Sequence, residues 1–573
     1  MHFVQLFRSV ACLQIISNFL IIFNNAYNIF EESPTFLHRK YGKMSDDEQQ
    51  NLLQATKEMF YFGYRNYMKY AYPEDELDPI HCAGRGHDHA NPENININDV
   101  LGDYSLTLID ALDTLAIIGD REEFQRSVQR VIEDVTFDKD TTVQVFEATI
   151  RVLGGLLSAH LLIEDPVQRL GDLRPEWYNG ELLDMASDLA ARLLPAFSLS
   201  PTGIPHPRVN LRSGVPYGGR TDTCTAGAGT LLVEFGILSK LSGDPTYQLA
   251  ARRASRALWN RRHNTTELLG NVLDVNTGKW MSELSGVGAG LDSFYEYMLK
   301  SYVLFGERED YDMFNVSYSR IKQYMRRGMK LLNLFSLGDH PLYVNVHMSS
   351  GGTHTSWIDS LQAAFAGLQV LAGDVEEAIC THALYWSIWQ RFGVLPERYN
   401  WQRASPDVLF YPLRPEFAEA TYLLYRATRN PFYLHVGREI LHSLNNLTRA
   451  ECGYATVHSV IDGSLEDRME SFFLSETCKY LYLLFDHNNP VNLGSGQFLF
   501  TTQGHVVPLG PWLRDKTLWD EAHFTPEAHK AVNLSDSNVW TPGCDAVDQA
   551  RQFGLPLESH YLQQVYSAVG LHS

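Results

Sequence analysis

The residues of this chain with the clearest chemical meaning are carboxylates that stand early in apolar, helix-like segments. Glu147 lies in TTVQVFEATIR and Asp292 opens GLDSFYEY. Glu416 and Glu419 sit in PLRPEFAEATY, and Glu470 and Glu476 in DRMESFFLSET. Taken singly, an acid near a helix N-terminus is satisfied by free N–H groups and the macrodipole, worth about 0.3–1 kcal/mol. Glu296 and Lys300, four residues apart, read as a helical ion pair. Taken together the acids mean more. If their helices run parallel in one ring, the starts meet at one mouth, where carboxylates repel one another unless a cation, water or ligand hydroxyls compensate. Arg151, one turn after Glu147, and Arg414, two residues before Glu416, supply part of that compensation. Phe472, Phe473 and Tyr295 add aromatic surface. Such a pocket fits glycoside hydrolysis, in which one carboxyl protonates the leaving oxygen and another activates water. It also tolerates a hard cation held by oxygen ligands.

The elements that would gather these acids are visible as an internal repeat. A helical apolar block ending in an acidic or Gly/Asn turn recurs seven times: DALDTLAIIGD, LGGLLSAHLLIED, LLVEFGILSKLSGD, YEYMLKSYVLFGE, LQAAFAGLQVLAGD, TYLLYRATRN and KYLYLLFD. Several blocks are apolar on more than one face; Phe146, Ile150, Leu153, Leu157 and Leu161 form one stripe, with Val145, Thr149, Val152 and Leu156 beside it. A helix of that kind is buried on most sides. More polar helical stretches lie between the blocks, including Thr246 to Trp259 and Phe432 to Leu444. Buried inner helices alternating with amphipathic outer ones predict an all-α fold, a closed α/α barrel of seven helical hairpins. GQFLFTTQGHVVP, Gly496 to Pro508, alternates and predicts a short β-hairpin near the end of the barrel. The expected domains are a signal peptide or signal anchor over 1–28, the barrel over 45–508, and a loosely ordered tail over 509–573 ending in a short helix near Tyr561 to Val569.

The bulk properties narrow the partners. A net charge of -21 lacks the basic footprint of nucleic-acid binding. Arg8 precedes an apolar run from Val10 to Phe23, the pattern of a secretory signal or an uncleaved anchor that would tie the chain to a membrane. N-x-S/T acceptors at Asn264, Asn315, Asn446 and Asn533 agree with a secretory route. Cys12 falls in the signal, and Cys224, Cys380 and Cys478 lie in apolar segments as core residues. Cys82 and Cys452, beside glycines in turn-like contexts, are the disulfide candidates.

The segments SLTLIDALDTL, VFEATIRVLGGLLSAH, GAGLDSFYEYMLK, YPLRPEFAEATYLLYRAT, RMESFFLSETCKYLYLLF and FTTQGH resemble family 47 glycoside hydrolases, the class I α-1,2-mannosidases, over about Met59 to His505. Within that family DELDPIHCAGRG, NININDVLGDYSL, PERYNWQ and LPLESHYLQQV are most similar to the endoplasmic-reticulum (ER) degradation-enhancing α-mannosidase-like subfamily, and to its first paralogue. The resemblance implies an (α/α)7 barrel, a calcium ion at its floor and an inverting mechanism. It gives Glu147 as catalytic acid, Glu416 as base and Asp292 as a third essential carboxylate. Thr502 matches the threonine that binds calcium directly, with Glu419 and Glu476 holding calcium-bound waters. Phe472 matches the platform under the sugar, and Arg151 and Arg414 match residues that orient the carboxylates. Cys82 and Cys452 match cysteines implicated in a disulfide and in pairing with thioredoxin-like oxidoreductases. The implied activity is mannose trimming of misfolded N-glycoproteins in the ER lumen, upstream of an ER-associated degradation ligase complex. Gln503 replaces an acid of the processing enzymes, Ser360 replaces a histidine, and a disulfide around that helix is missing. These departures keep a second expectation open, a lectin-like receptor with little or no turnover.

Overall fold

A glycine, an acid or the Arg429-Asn430 pair closes each apolar block, and the backbone shows why. In the computed structural model, Gly119 and Gly306 hold φ of +83° and +74°, the left-handed region where a side chain is strained. Each ends a buried helix and lets the next begin almost at once, at Arg121 and Arg308. At the first of these corners Asp120 caps the new helix, accepting from the Glu123 backbone N–H at 3.1 Å. The structure describes residues 40–328, 340–494, 496–515, 555–557 and 559–571. The signal or anchor over 1–28, Cys12, Asn533 and Cys544 lie outside the described residues.

Seven inner helices result: 106–118, Val145–Ile163, 225–242, Asp292–Phe305, Leu361–Ala372, Glu416–Thr428 and 473–485. Each packs on its neighbours, and the seventh returns to the first, so the ring is closed. Six outer helices follow their inner partners: Arg121–Asp134, Glu181–Leu193, Thr246–Trp259, Arg308–Tyr324, Val375–Phe392 and Phe432–Leu447. The seventh outer position is filled by the first described long helix, Asp46–Asn66, which packs against 473–485. The fold is an (α/α)7 barrel. Val145–Ile163 is long and apolar enough to cross a bilayer, yet it lies in the protein interior, as its double stripe predicts.

All inner helices run the same way because each is reached from the outer helix that precedes it in the chain, Asp46–Asn66 in the case of the first. Their N-termini therefore share one mouth, and the longer connections from outer to inner helices gather there. Those connections carry short antiparallel strands, among them Thr142–Gln144 on Arg208–Asn210 and Asp222–Cys224 on Val272–Asp274. At sequence level such three-residue strands are too short to show a period of two. The expected hairpin is present, Phe498–Phe500 on Val506–Pro508 with Phe500 opposite Val506. It enters the ring from the end opposite the mouth: Leu509 accepts from Arg169, beyond the end of the second inner helix, while Val506 accepts from Ser158 within it. Its tip, residues 501–505, thereby reaches the first turns of the inner helices.

Helix Ser559–Ala568 lies where a short terminal helix is expected, and it docks on Val375–Phe392 with Val565 and Val569 fully buried. Cys82 and Cys452 form a disulfide, with Cα atoms 5.5 Å apart. Cys380 and Cys478 are buried free thiols and Cys224 is a partly buried one. Among the acceptor triplets Asn264 and Asn446 are exposed. Asn315 is not a usable acceptor in the folded chain: it sits within Arg308–Tyr324 at 7% exposure, turned into the core by the helical period.

Candidate active site

The barrel mouth opens into a cavity of about 220 Å³ whose walls include Glu147, Asp292, Glu416, Phe472 and Thr502. Arg151, Arg414, Glu419 and Glu476 line it too. Residues from Phe146 to Gln503 meet here because the inner helices other than 106–118 contribute residues at or near their first turns and the hairpin contributes its tip.

Glu147 is held from one side. Arg151, one turn on, donates from Nε to its Oε2 at 2.7 Å and from Nη1 to Ser471 at 3.0 Å. Ser471 in turn donates to Asp110 Oδ2 at 2.6 Å, which also accepts from Ser475 at 3.1 Å and from the Gln503 amide at 3.0 Å. The hairpin tip is thus wired to Glu147 through Asp110, Ser471 and Arg151. Arg414 has Glu397 as its direct partner, at 2.7 and 3.1 Å, and reaches Glu416 only by its field. Ser360 donates to the same Glu397 at 2.9 Å. Both guanidinium groups flank the Phe472 ring, at 5.3 and 5.7 Å from its centroid.

The other acids crowd together. Burial pushes Asp292 up to about 8, with Asp359, Glu416 and Glu296 adding to the rise. Burial likewise pushes Glu416 up to about 7 against the pull of Arg414. Its Oε2 is buried without a hydrogen-bond partner. Glu476 is driven well above the usual carboxylate range by burial and by Glu416, Glu419 and Asp110. Glu419 rises for the same reason, with Glu296 and Glu416 as its neighbours. Thr502 Oγ1 donates to Glu296 at 2.9 Å, and Glu296 is also paired with Lys300.

Among the described residues no three His, Cys, Asp or Glu side chains form a ready-made ligand set. The donors at the floor are instead a threonine hydroxyl ringed by glutamates. Oxygen-only donors, surplus negative charge and an orphaned carboxylate oxygen fit a hard cation that keeps several waters.

Below the tip lies a second, fully enclosed charge cluster. Lys479 binds both Asp113 oxygens at 2.8 Å and the Gly504 carbonyl at 2.6 Å. His505 stands 3.1 Å from Asp110 and 3.4 Å from Asp113. Burial opposes its protonation, but the two aspartates outweigh it and hold the imidazolium up to about 9. Lys479 and His505 overcome the burial of Asp113 and bring it down to about 2.

Every carboxylate and arginine expected at the site lines the cavity except Glu470, which pairs with Arg468 at 3.1 Å. Asp110, Glu397 and Asp359 were not singled out in the sequence. Their signal was weak: Asp110 hides inside an apolar block, and Glu397 and Asp359 lie in the connections. Glu296 was read only as the partner of Lys300; it is that and the acceptor from Thr502 as well.

The profile of glycosyl hydrolase family 47 matches residues 59–509, most of the chain and all of the ring's inner helices. The chain belongs to glycosyl hydrolase family 47. Among its family 47 relatives, ER degradation-enhancing alpha-mannosidase-like protein 1 of Schizosaccharomyces pombe is 47% identical, over 82% of this chain and 58% of its own length. The human ER degradation-enhancing alpha-mannosidase-like protein 3 is 43% identical, over 87% of this chain and 52% of its own length. The chain therefore spans little more than half the length of these two relatives. Alpha-mannosidase I MNS5 of Arabidopsis thaliana is 42% identical, with 87% and 83% covered. Among solved structures, an alpha-1,2-mannosidase from Trichoderma reesei superposes with a TM-score of 0.70 at 24% identity, over 80% of this chain and 99% of that one, a likeness of fold.

Proposed function

We propose that this family 47 chain is an ER α-1,2-mannosidase that trims mannose from the high-mannose N-glycans of misfolded glycoproteins and so commits them to ER-associated degradation. The observation that carries this reading is the convergence of Glu147, Asp292 and Glu416 on one cavity beside the Phe472 ring. The names of relatives above 40% identity supply the substrate class and the compartment.

In this mechanism Phe472 supports the face of the terminal mannose. Glu147 gives its proton to the glycosidic oxygen, so the C1–O bond breaks with the electron pair leaving on that oxygen. Arg151 keeps the Glu147 carboxyl in place through its 2.7 Å contact. Glu416 takes a proton from the water that attacks C1 from the opposite face, with inversion. Its orphaned Oε2 is free to accept that proton. Asp292 is the third carboxylate facing the reacting sugar. Thr502 would hold calcium directly and Glu419 and Glu476 through water. The cation would offset the crowded carboxylates and orient the mannose hydroxyls.

Gln503 and Ser360, which differ from the processing enzymes, each donate a hydrogen bond into the carboxylate network, to Asp110 and Glu397. That integration favours turnover over a lectin-like role. Cys82 is partly exposed while Cys452 is buried, so exchange with a thioredoxin-like oxidoreductase would begin at Cys82. A degradation ligase complex would receive the trimmed glycoprotein.

The test incubates purified chain with a branched high-mannose oligosaccharide, with and without a calcium chelator. Release of free mannose from α-1,2 linkages that stops on chelation and returns with calcium is the expected result. Binding of the oligosaccharide without any mannose release would make the chain a lectin.

A further inference from the structure

Beside the catalytic cavity lies a wider depression of about 750 Å³, formed where the connections leading into the first three inner helices come together. Two strands join the two spaces. Thr142 lies in its wall and opens strand Thr142–Gln144, which runs into Phe146 and Glu147. Thr221 lies in its wall and precedes strand Asp222–Cys224, which delivers Cys224 and Ala226 to the cavity. The depression is therefore on the mouth side, next to the proposed acid.

Its lining has a specific chemistry. Tyr217 stands on the turn Pro216–Gly219 with its side chain fully exposed, and the turn is made possible by Gly218 at φ +70°. Arg208 grips Asp99 through two 2.6 Å bonds, and Arg220 grips Asp222 at 3.0 and 2.6 Å. These guanidinium groups are already neutralised by carboxylates. The wall offers directed donors and acceptors without surplus positive charge, which suits a neutral polyol better than a phosphate or sulfate. An aromatic face beside paired polar groups accepts the apolar face of a sugar ring while its hydroxyls are hydrogen-bonded.

We propose that this depression is a second saccharide subsite, taking the part of a branched mannose oligosaccharide that lies beyond the scissile bond, with Tyr217 as its stacking platform and the Arg208 and Arg220 pairs as its hydroxyl partners. This deepens the glycosidase reading and rests on it. The enzyme would then read more of the glycan arm than the catalytic cavity holds, since Tyr217 lines the depression and not that cavity.

The test is an equilibrium titration in the Glu147→Gln background, where turnover is blocked, using the branched oligosaccharide and the disaccharide mannosyl-α-1,2-mannose. Adding Tyr217→Ala weakens the branched ligand about tenfold, the loss of one stacking contact, and leaves the disaccharide unchanged. Tyr217→Phe retains the affinity for both. In the turnover assay Tyr217→Ala alone raises KM for the branched substrate and leaves kcat/KM for the disaccharide as it was. Equal weakening of both ligands, no change in either, or weakened binding of a denatured, deglycosylated polypeptide instead would overturn the subsite. If the wild type releases no mannose but the Tyr217 dependence of binding persists, the hydrolase reading falls and the subsite stands.

Discussion

At the scale of single residues, the site separates two tasks by environment. Glu147 is braced by an arginine, whereas Glu416 is buried with one oxygen unpartnered. Glu147→Gln keeps the acceptor for Arg151 but has no proton to give, so kcat should fall about 10²–10⁴-fold with KM nearly unchanged. Mannose release measured against substrate concentration checks this, and wild-type kcat in the variant would remove Glu147 from the mechanism. The crowded acids also make a pH prediction. Burial holds Asp292 up at about 8 against 3.8 for an ordinary aspartate, and Glu416 at about 7 against 4.5. A raised acid binds its proton more tightly when folded, so its burden on folding is absent below the ordinary value and grows as pH climbs to the raised one. His505, raised to about 9, adds stability that is complete below 6.5 and lost towards 9. Asp113, lowered to about 2, adds stability that is complete above 3.8 and lost as pH falls towards 2, outside the range of the raised groups. Chelated protein should thus lose Tm steadily between about pH 5 and 8, and calcium should restore more of it at the upper end. Scanning fluorimetry across that interval reads it, and a flat or rising chelated curve contradicts the charge crowding.

At the scale of elements, the hairpin Phe498–Phe500/Val506–Pro508 is pinned by charge. Lys479 and Asp113 have no exposed side-chain surface, and the same ammonium holds the Gly504 carbonyl. Lys479→Met strands the Asp113 carboxylate in the interior, a loss of about 3–5 kcal/mol. A large drop in thermal midpoint is expected, and an unchanged one would show that His505 alone suffices. This level is also where sequence reading succeeds and fails for identifiable reasons. All seven apolar blocks became inner helices, because burial on every side leaves an unmistakable composition. The partner of the seventh block escaped notice because its outer helix, Asp46–Asn66, lies at the other end of the chain, and periodicity says nothing about long-range pairing. The acids at helix starts were legible as a group; Asp110 was not, since one acid in an apolar block looks like a cap. Asn315 carried a correct acceptor triplet, but a triplet has no knowledge of which helix face it occupies.

At the scale of the molecule, the ring is fastened at its seam. The Cys82–Cys452 bridge spans 370 residues, and Cys452 donates its backbone N–H to Pro79 at 2.9 Å beside it. Removing the cross-link frees a long loop in the unfolded state, typically a loss of about 2–5 kcal/mol. Cys82→Ser and Cys452→Ser should each lower Tm by the same amount and the double variant by no more; additive losses would mean the thiols act separately. The seam also has a consequence for synthesis. Helix Asp46–Asn66 leaves the ribosome before any inner helix, yet the surface it must cover, 473–485, is the last of the seven inner helices to follow. During most of translation its greasy side has no home, and any message that stops short of residue 473 yields a horseshoe with two sticky ends. A chain proposed to act on misfolded glycoproteins thus cannot close its own ring until residues 473–485 have been made.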